Sequence, residues 1–281
     1  MENIAVIGAG TMGNGIAHVL AQKGFTVHLI DAQASALEKA LATIEKNLDR
    51  QIAKQTISAA DKATTLHNIT TFDSIEKGVA NADLVIEAAT ENSDIKKKIF
   101  VSLDQYTKPS CILATNTSSI AIGQLAAVTK RPSQVIGMHF MNPVPIMKLV
   151  EIINGEATAS EITETIVALT KKIDKIPCVV KDAPGFIANR ILMPMINEAI
   201  YAFAEGISDA ATIDQIMKLG MAHPMGPLQL ADYIGLDVCK NIMSIMEEGF
   251  NNTKYAPCPL LVTMVKEGKL GVKTGEGFYK Y

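Results

Sequence analysis

The first thirty-one residues of the chain constrain its fold more than any other segment. Ile4-Ala5-Val6-Ile7 is a short apolar run of strand character, and it leads directly into Gly8-Ala9-Gly10-Thr11-Met12-Gly13. A helix-like stretch follows, then a second strand-like run, Thr26-Val27-His28-Leu29-Ile30, which ends in Asp31. Strand, glycine loop, helix, strand and acid in this order are what a dinucleotide site requires. Gly8 permits the tight turn, Gly10 lets the backbone approach a pyrophosphate, and Gly13 lets the helix pack close to the strand. Unpaired N–H groups and a partial positive charge at the N-terminus of the helix, where Thr11 and Met12 lie, favour the same anion. Asp31 is placed to bond ribose hydroxyls. Its carboxylate repels a 2′-phosphate, and Ala32 and Gln33 supply no arginine to bind one, so the pattern favours NAD over NADP.

The chain has 281 residues, 48% of them hydrophobic and 20% charged, enough for one large or two ordinary domains with buried cores. A net charge of −3 and the lack of a basic arm argue against nucleic acid as an obligate partner. Lys96-Lys97-Lys98 is the densest basic cluster, and on a helix those side chains fan around the axis. No apolar run approaches the roughly 18 residues needed to span a bilayer, so no membrane association is expected. With a dinucleotide motif this close to the N-terminus, no signal or transit peptide is expected. Cys111, Cys178, Cys239 and Cys258 are scattered without metal-ligand spacing. Reduced, mostly buried thiols, no metal and a cytoplasmic location are the expectation.

Strand-like and helix-like segments alternate through the first two thirds of the chain. Residues 35–55 carry Leu37, Leu41, Ile44, Leu48 and Ile52 at helical spacing. Residues 83–87, 111–114, 135–138, 149–153 and 176–180 read as strands, with helices over 94–103 and 160–173. This alternation predicts an α/β domain with a doubly wound, mostly parallel sheet. The texture changes at Asp182-Ala183-Pro184-Gly185, after which only helical patterns recur, over 186–205, 208–219, 227–234, 237–248 and 259–267. We therefore expect a nucleotide-binding domain over 1–184 and an all-helical domain over 185–281. Methionine is abundant in the second part (Met193, Met195, Met217, Met221, Met225, Met243, Met246, Met264), more than a small core needs, which suggests a homodimer formed through this domain.

A nicotinamide cofactor implies hydride transfer, and oxidising an alcohol needs a base near its hydroxyl. Of the five histidines, His18 and His28 fall inside a predicted helix and strand, His67 reads as surface, and His223 sits in a Pro-rich turn. His139 ends a strand, where open α/β sheets place their ligands, and precedes Phe140-Met141-Asn142-Pro143-Val144-Pro145. By position alone it is either a catalytic base or a satisfied core histidine. Glu151, inside an apolar strand, is a candidate partner for the second ring nitrogen, or else a solvent-facing edge residue. In Thr115-Asn116-Thr117-Ser118-Ser119 the hydroxyls either meet a substrate or cap the next helix, for which Ser119 is the expected N-cap.

Six segments occur together and in order: the glycine loop, Asn116-Thr117-Ser118-Ser119, His139-Phe140-Met141-Asn142-Pro143, Pro184-Gly185-Phe186-Ile187-Ala188-Asn189-Arg190, His223-Pro224-Met225-Gly226-Pro227 and Lys273-Thr274-Gly275-Glu276-Gly277-Phe278-Tyr279. With them the chain resembles the short-chain L-3-hydroxyacyl-CoA dehydrogenases over essentially its whole length. The resemblance implies a Rossmann-type first domain and an acyl-CoA thioester substrate of the 3-hydroxybutyryl-CoA/acetoacetyl-CoA kind. It implies that His139 is the general acid/base and that Glu151 holds its imidazole. Ser118 and Asn189 would bond the reacting oxygen or its neighbours, and Asn142 would sit at nicotinamide and substrate. Glu91 and Lys96 would contact the ribose and nicotinamide side, and Lys273 would reach the cofactor from the C-terminal segment. Arg50 and Lys54 would meet the CoA phosphates. Met141 departs from the phenylalanine usual in that family. The rival readings are a dehydrogenase of free 3-hydroxy acids and a non-catalytic dinucleotide-binding protein.

Overall fold

The apolar runs of the first part pair into one eight-stranded sheet. The computed structural model describes all 281 residues, which fall into two compact units, Met1–Asp182 and Ala183–Tyr281. In the first unit the strands are β1 (Asn3–Ile7), β2 (Thr26–Ile30), β3 (Ile69–Phe72), β4 (Leu84–Glu87), β5 (Ile112–Thr115), β6 (Val135–Phe140), β7 (Leu149–Asn154) and β8 (Ile176–Lys181). They lie in the order β3-β2-β1-β4-β5-β6-β7-β8. Helices α1 (Thr11–Gln22), α2 (Ala34–Ala53), α3 (Ala59–His67), α4 (Ile75–Val79), α5 (Ser93–Tyr106), α6 (Ile122–Ala126) and α7 (Ser160–Lys172) connect them. This is the doubly wound α/β architecture, and its order reverses between β1 and β4.

Strands β4, β5 and β6 are buried throughout, which is why they read as unbroken apolar runs instead of alternating ones. The first six strands are parallel, whereas β7 runs antiparallel to β6 and β8 runs parallel to β7. The connection 141–148 explains the reversal, because a parallel return needs a crossover of about a dozen residues or more. In α2, Leu37, Ala40, Ile44 and Leu48 form the buried stripe. One cap differs from expectation. The helix after β5 begins at Ile122, not at Ile120; its N-cap position is Ala121, no side chain caps it, and Thr117 closes the preceding turn by accepting the Ile120 N–H at 2.9 Å. The Ser119 hydroxyl is engaged elsewhere, donating to Glu91 at 2.9 Å.

His18, on the buried face of α1, is fully enclosed. Burial, with a smaller push from the Lys175 charge, brings its imidazole down from 6.5 to about 4. The folded state thus binds fewer protons here than the unfolded chain between those values, so stability is fully present above pH 6.5 and is lost as pH falls toward 4. The depression corresponds to about 3 kcal/mol. Urea titrations at pH 7 and pH 4.5 should show that His18→Leu removes a large part of the acid-induced loss. An identical pH dependence in wild type and variant would contradict this assignment.

The second unit contains α8 (Ala188–Ala204), α9 (Ala210–Gly220), α10 (Pro227–Ile234), α11 (Leu236–Phe250) and α12 (Pro259–Lys266) and no named strand, as the sequence pattern predicts. Asp209 caps α9 by accepting the Thr212 N–H at 2.7 Å. Met193, Met243, Met246 and Met264 fill its core with Ile196, Ile200 and Leu228. Half of the methionine surplus is therefore ordinary interior. The C-terminal segment is held by two buried carboxylates. Asp232 accepts the Phe278 and Tyr279 N–H groups at 3.0 and 2.9 Å, and Asp214 accepts the Tyr279 hydroxyl at 2.7 Å.

Candidate active site

Strand register brings the candidate groups of the first unit to one edge of the sheet. Ile7 lies beside Glu87, Glu87 beside Thr115, and Thr115 beside Gly137, so the C-terminal ends of β1, β4 and β5 line up, and β6 runs three residues past them to Phe140. Open α/β sheets bind their ligands at this edge.

At β1, Gly8 has φ of +95°, and a Cβ there would come within 2.6 Å of the Ala88 carbonyl oxygen. A Cβ on Gly13 would lie 1.7 Å from the Gly8 carbonyl oxygen, so helix and loop meet only because both are glycines. Gly10 is different, because nothing stands within 4 Å of where its Cβ would be. That space lies at the N-terminus of α1, where no side chain caps the first turn formed by Thr11, Met12 and Gly13. The cradle fits a pyrophosphate. Asp31 accepts the Ala9 N–H at 2.8 Å and the Gln33 N–H at 2.9 Å, fixing its carboxylate beside the loop. A cleft of about 500 Å³ opens here, lined by Gly8, Asp31, Ile75, Ile99 and Tyr106 among others. Its apolar walls fit a nucleoside, and the acids on its rim, Asp31, Asp73 and Glu76, suit ribose hydroxyls and not a 2′-phosphate, so the residues present suit NAD.

At β4 and β5 the structure shows a charge system that local sequence pattern does not reveal. Glu87 and Lys96 are 0% and 1% exposed, and the Lys96 ammonium donates to both Glu87 oxygens at 2.7 and 2.8 Å. Thr115 donates to the same carboxylate at 2.7 Å. Lys96 lies 3.5 Å from Glu91, whose carboxylate in turn accepts from the Thr117 hydroxyl at 2.6 Å and the Ser118 N–H at 2.9 Å. An ammonium in an apolar interior needs a carboxylate, and Glu87 provides it. Lys96 also donates to the Ala89 carbonyl at 3.4 Å, and Ala89 lines the cleft beside Asp31. Burial alone would raise the Glu91 carboxyl, but the Lys96 charge and the bonds from Thr117, Ser119 and Ser118 together hold it below its ordinary range. Glu91 thereby organises the loop that carries Ser118.

At β6 the antiparallel step to β7 sets His139 directly opposite Glu151. Both are buried, and Nδ1 of His139 lies 2.8 Å from Oε2 of Glu151. The solvent-facing alternative for Glu151 is excluded, because β8 covers β7 and Glu151 is 3% exposed. Asn116 accepts the Phe140 N–H at 2.8 Å, tying the hydroxyl-rich loop to the end of β6. Asn142 is exposed just beyond it. Glu151→Gln keeps a hydrogen-bonding side chain but removes the charge that stabilises an imidazolium. Steady-state kinetics should show a loss in kcat of about 10- to 100-fold. A variant with unchanged kcat would remove Glu151 from the site.

Arg50 is in the last turn of α2 and Lys54 directly follows it, both exposed, and no contact ties them to His139. Asn189 lies in the first turn of α8 and is buried. The Lys273 ammonium donates to the Asp237 carboxylate at 2.5 and 2.6 Å within the helical unit.

Residues 3–183 match the 3-hydroxyacyl-CoA dehydrogenase NAD binding domain, and residues 185–281 match the C-terminal domain of the same family. The chain belongs to the 3-hydroxyacyl-CoA dehydrogenase family. A 3-hydroxybutyryl-CoA dehydrogenase of Bradyrhizobium diazoefficiens is 50% identical over 281 residues, spanning 100% of this chain and 96% of the relative. The mitochondrial hydroxyacyl-coenzyme A dehydrogenase of Homo sapiens is 42% identical over 288 residues, spanning 100% of this chain and 91% of the relative. Among solved structures, the (S)-3-hydroxybutyryl-CoA dehydrogenase PaaH1 from Ralstonia eutropha is similar with a TM-score of 0.97 and 47% identity, covering 100% of this chain and 99% of that one.

Proposed function

We propose that this protein is an NAD-dependent dehydrogenase that interconverts 3-hydroxybutyryl-CoA and acetoacetyl-CoA. The observation that carries the reading is the buried His139–Glu151 pair on the sheet edge that also holds the glycine cradle. The Gly8, Gly10 and Gly13 cradle and Asp31 would hold NAD, which would supply the hydride acceptor or donor for C3 of the substrate. In oxidation His139 takes the hydroxyl proton, and in reduction it gives that proton to the carbonyl oxygen. Glu151, bonded at Nδ1, keeps the basic lone pair on Nε2 and stabilises the imidazolium once the proton has moved. Ser118 bonds the reacting oxygen or its neighbours and Asn142 sits at nicotinamide and substrate, with Glu91 holding the Ser118 loop in place. Asp31 selects NAD by excluding a 2′-phosphate, and Arg50 and Lys54 supply cations for the CoA phosphates.

Acetoacetyl-CoA incubated with NADH should yield 3-hydroxybutyryl-CoA in 1:1 proportion to NADH consumed, as quantified by liquid chromatography. NADH loss without the hydroxyacyl product, or no loss at all, would overturn the proposal. We further infer a homodimer formed through the helical unit. Its support is the apolar surface of α9, where Ile216 and Leu219 are 57% and 77% exposed, with Met221 just beyond at 61%. Sedimentation equilibrium at micromolar concentration should report a dimer, and a monomer would contradict this inference. No helix is long and apolar enough to cross a membrane, and a cytoplasmic setting fits the four free thiols.

A further inference from the structure

Lys175 lies between α7 and β8, just after Asp174 turns the chain with φ of 57°. It is 7% exposed, and its ammonium donates to the carbonyl oxygens of Val144 at 2.5 Å and Met147 at 2.6 Å. Neither partner carries a charge. A buried ammonium bonded to neutral carbonyls is costly, because it lacks the carboxylate that makes Lys96 tolerable. Burial holds Lys175 below the ordinary lysine range, and the Lys148 charge pushes it the same way. A hydrophobic residue would fill this position more cheaply, so the charge calls for a reason.

The reason lies in what it grips. Val144 and Met147 bracket the connection that leaves β6 just after His139 and enters β7 just before Glu151. The same connection carries Asn142. It is folded on itself, with the Pro143 carbonyl accepting the Ile146 and Met147 N–H groups at 3.0 Å each. On its other side Val144 is buried against Gly15 of α1, where an added Cβ would come within 2.8 Å of the Val144 Cβ. Ile176, the residue after Lys175, donates its N–H to the Lys148 carbonyl at 2.8 Å. One side chain, from the residue just before the last strand, thus ties down the segment that links both members of the proton-transfer pair.

We propose that Lys175 is a positioning residue: its ammonium pins the β6–β7 connection so that Asn142 and the His139–Glu151 pair hold their geometry during the reaction. This rests on the reading of His139 as the base. Misplacement of reacting groups by about an ångström costs on the order of 100-fold in rate. Lys175→Met keeps the length of the side chain and removes the clamp, while Lys175→Arg retains a charged donor. The methionine variant should fold by circular dichroism and bind NADH within about threefold of wild type by fluorescence titration. Its kcat with acetoacetyl-CoA should drop by about 10- to 100-fold, with a larger kinetic isotope effect on the transferred deuteride. The arginine variant should recover most of that kcat. The proposal is overturned by a methionine variant with normal kcat, by an arginine variant no better than methionine, or by losses that merely track the folded fraction. Failure of both variants to fold overturns it too, since Lys175 would then be a purely structural lysine. His139→Ala run in parallel separates the two readings. If that variant keeps its turnover, the assignment of the base has failed, whatever Lys175 does.

Discussion

Replacing His139 with alanine is expected to lower kcat for acetoacetyl-CoA reduction by about 10²- to 10⁴-fold while leaving NADH affinity unchanged. The split follows from position. The glycine cradle and Asp31 sit at the ends of β1 and β2, and their internal bonds do not involve His139. His139 is the penultimate residue of β6, where its assigned task is to carry the proton that accompanies the hydride. Alanine also leaves Glu151 in a buried position without the imidazole it faces, so some loss of stability accompanies the loss of rate. Kinetics on the folded variant with NADH fluorescence titration separate the two effects. A folded variant that retains most of its turnover would show that another group moves the proton.

Replacing Lys96 with methionine is expected to destabilise the protein by about 3–5 kcal/mol, the usual cost of leaving one member of a buried ion pair without its partner. Glu87 would remain fully buried, with the Thr115 hydroxyl and the Ala89 N–H as its remaining bonds. Urea unfolding followed by circular dichroism gives the value. The double variant Lys96→Met/Glu87→Gln should regain much of the loss, because the stranded charge is then gone. The single variant should also weaken the site, since Glu91 loses the cation nearest to it while it holds the loop of Ser118. If Lys96→Met unfolds at the same urea concentration as wild type, the Glu87–Lys96 pair is not the anchor described above.

Elements whose signal is local were legible in the sequence. The glycine loop announces itself through three residues whose lack of a side chain is needed at fixed spacing, and Asp31 closes the next strand. The buried strands read as apolar runs, and the Pro184-Gly185 break marks the change from alternating to helical texture. His139 was legible as a strand-end histidine, but Glu151 stood only as a candidate partner. Their contact exists because β7 turns back antiparallel to β6, and strand direction is a property of the connection, not of either strand. The Glu87–Lys96 pair was hidden for a similar reason. An acid at the end of Leu84-Val85-Ile86-Glu87 and a lysine in a basic cluster look like surface residues until β4 and α5 are packed together. Lys175 was invisible altogether, because its partners Val144 and Met147 offer only backbone carbonyls, which carry no sequence signature. The Asp237 partner of Lys273 was hidden too, because 36 residues separate them in the chain.

The central claim is that the chain acts on a short 3-hydroxyacyl thioester, and it is tested most directly by the initial rate of NADH oxidation with acetoacetyl-CoA beside free acetoacetate at matched concentration. Rapid turnover with the thioester and little with the free acid is the expected result. Equal rates with both would contradict the claim and identify a dehydrogenase of free 3-hydroxy acids, with Arg50 and Lys54 no more than a solvated helix end.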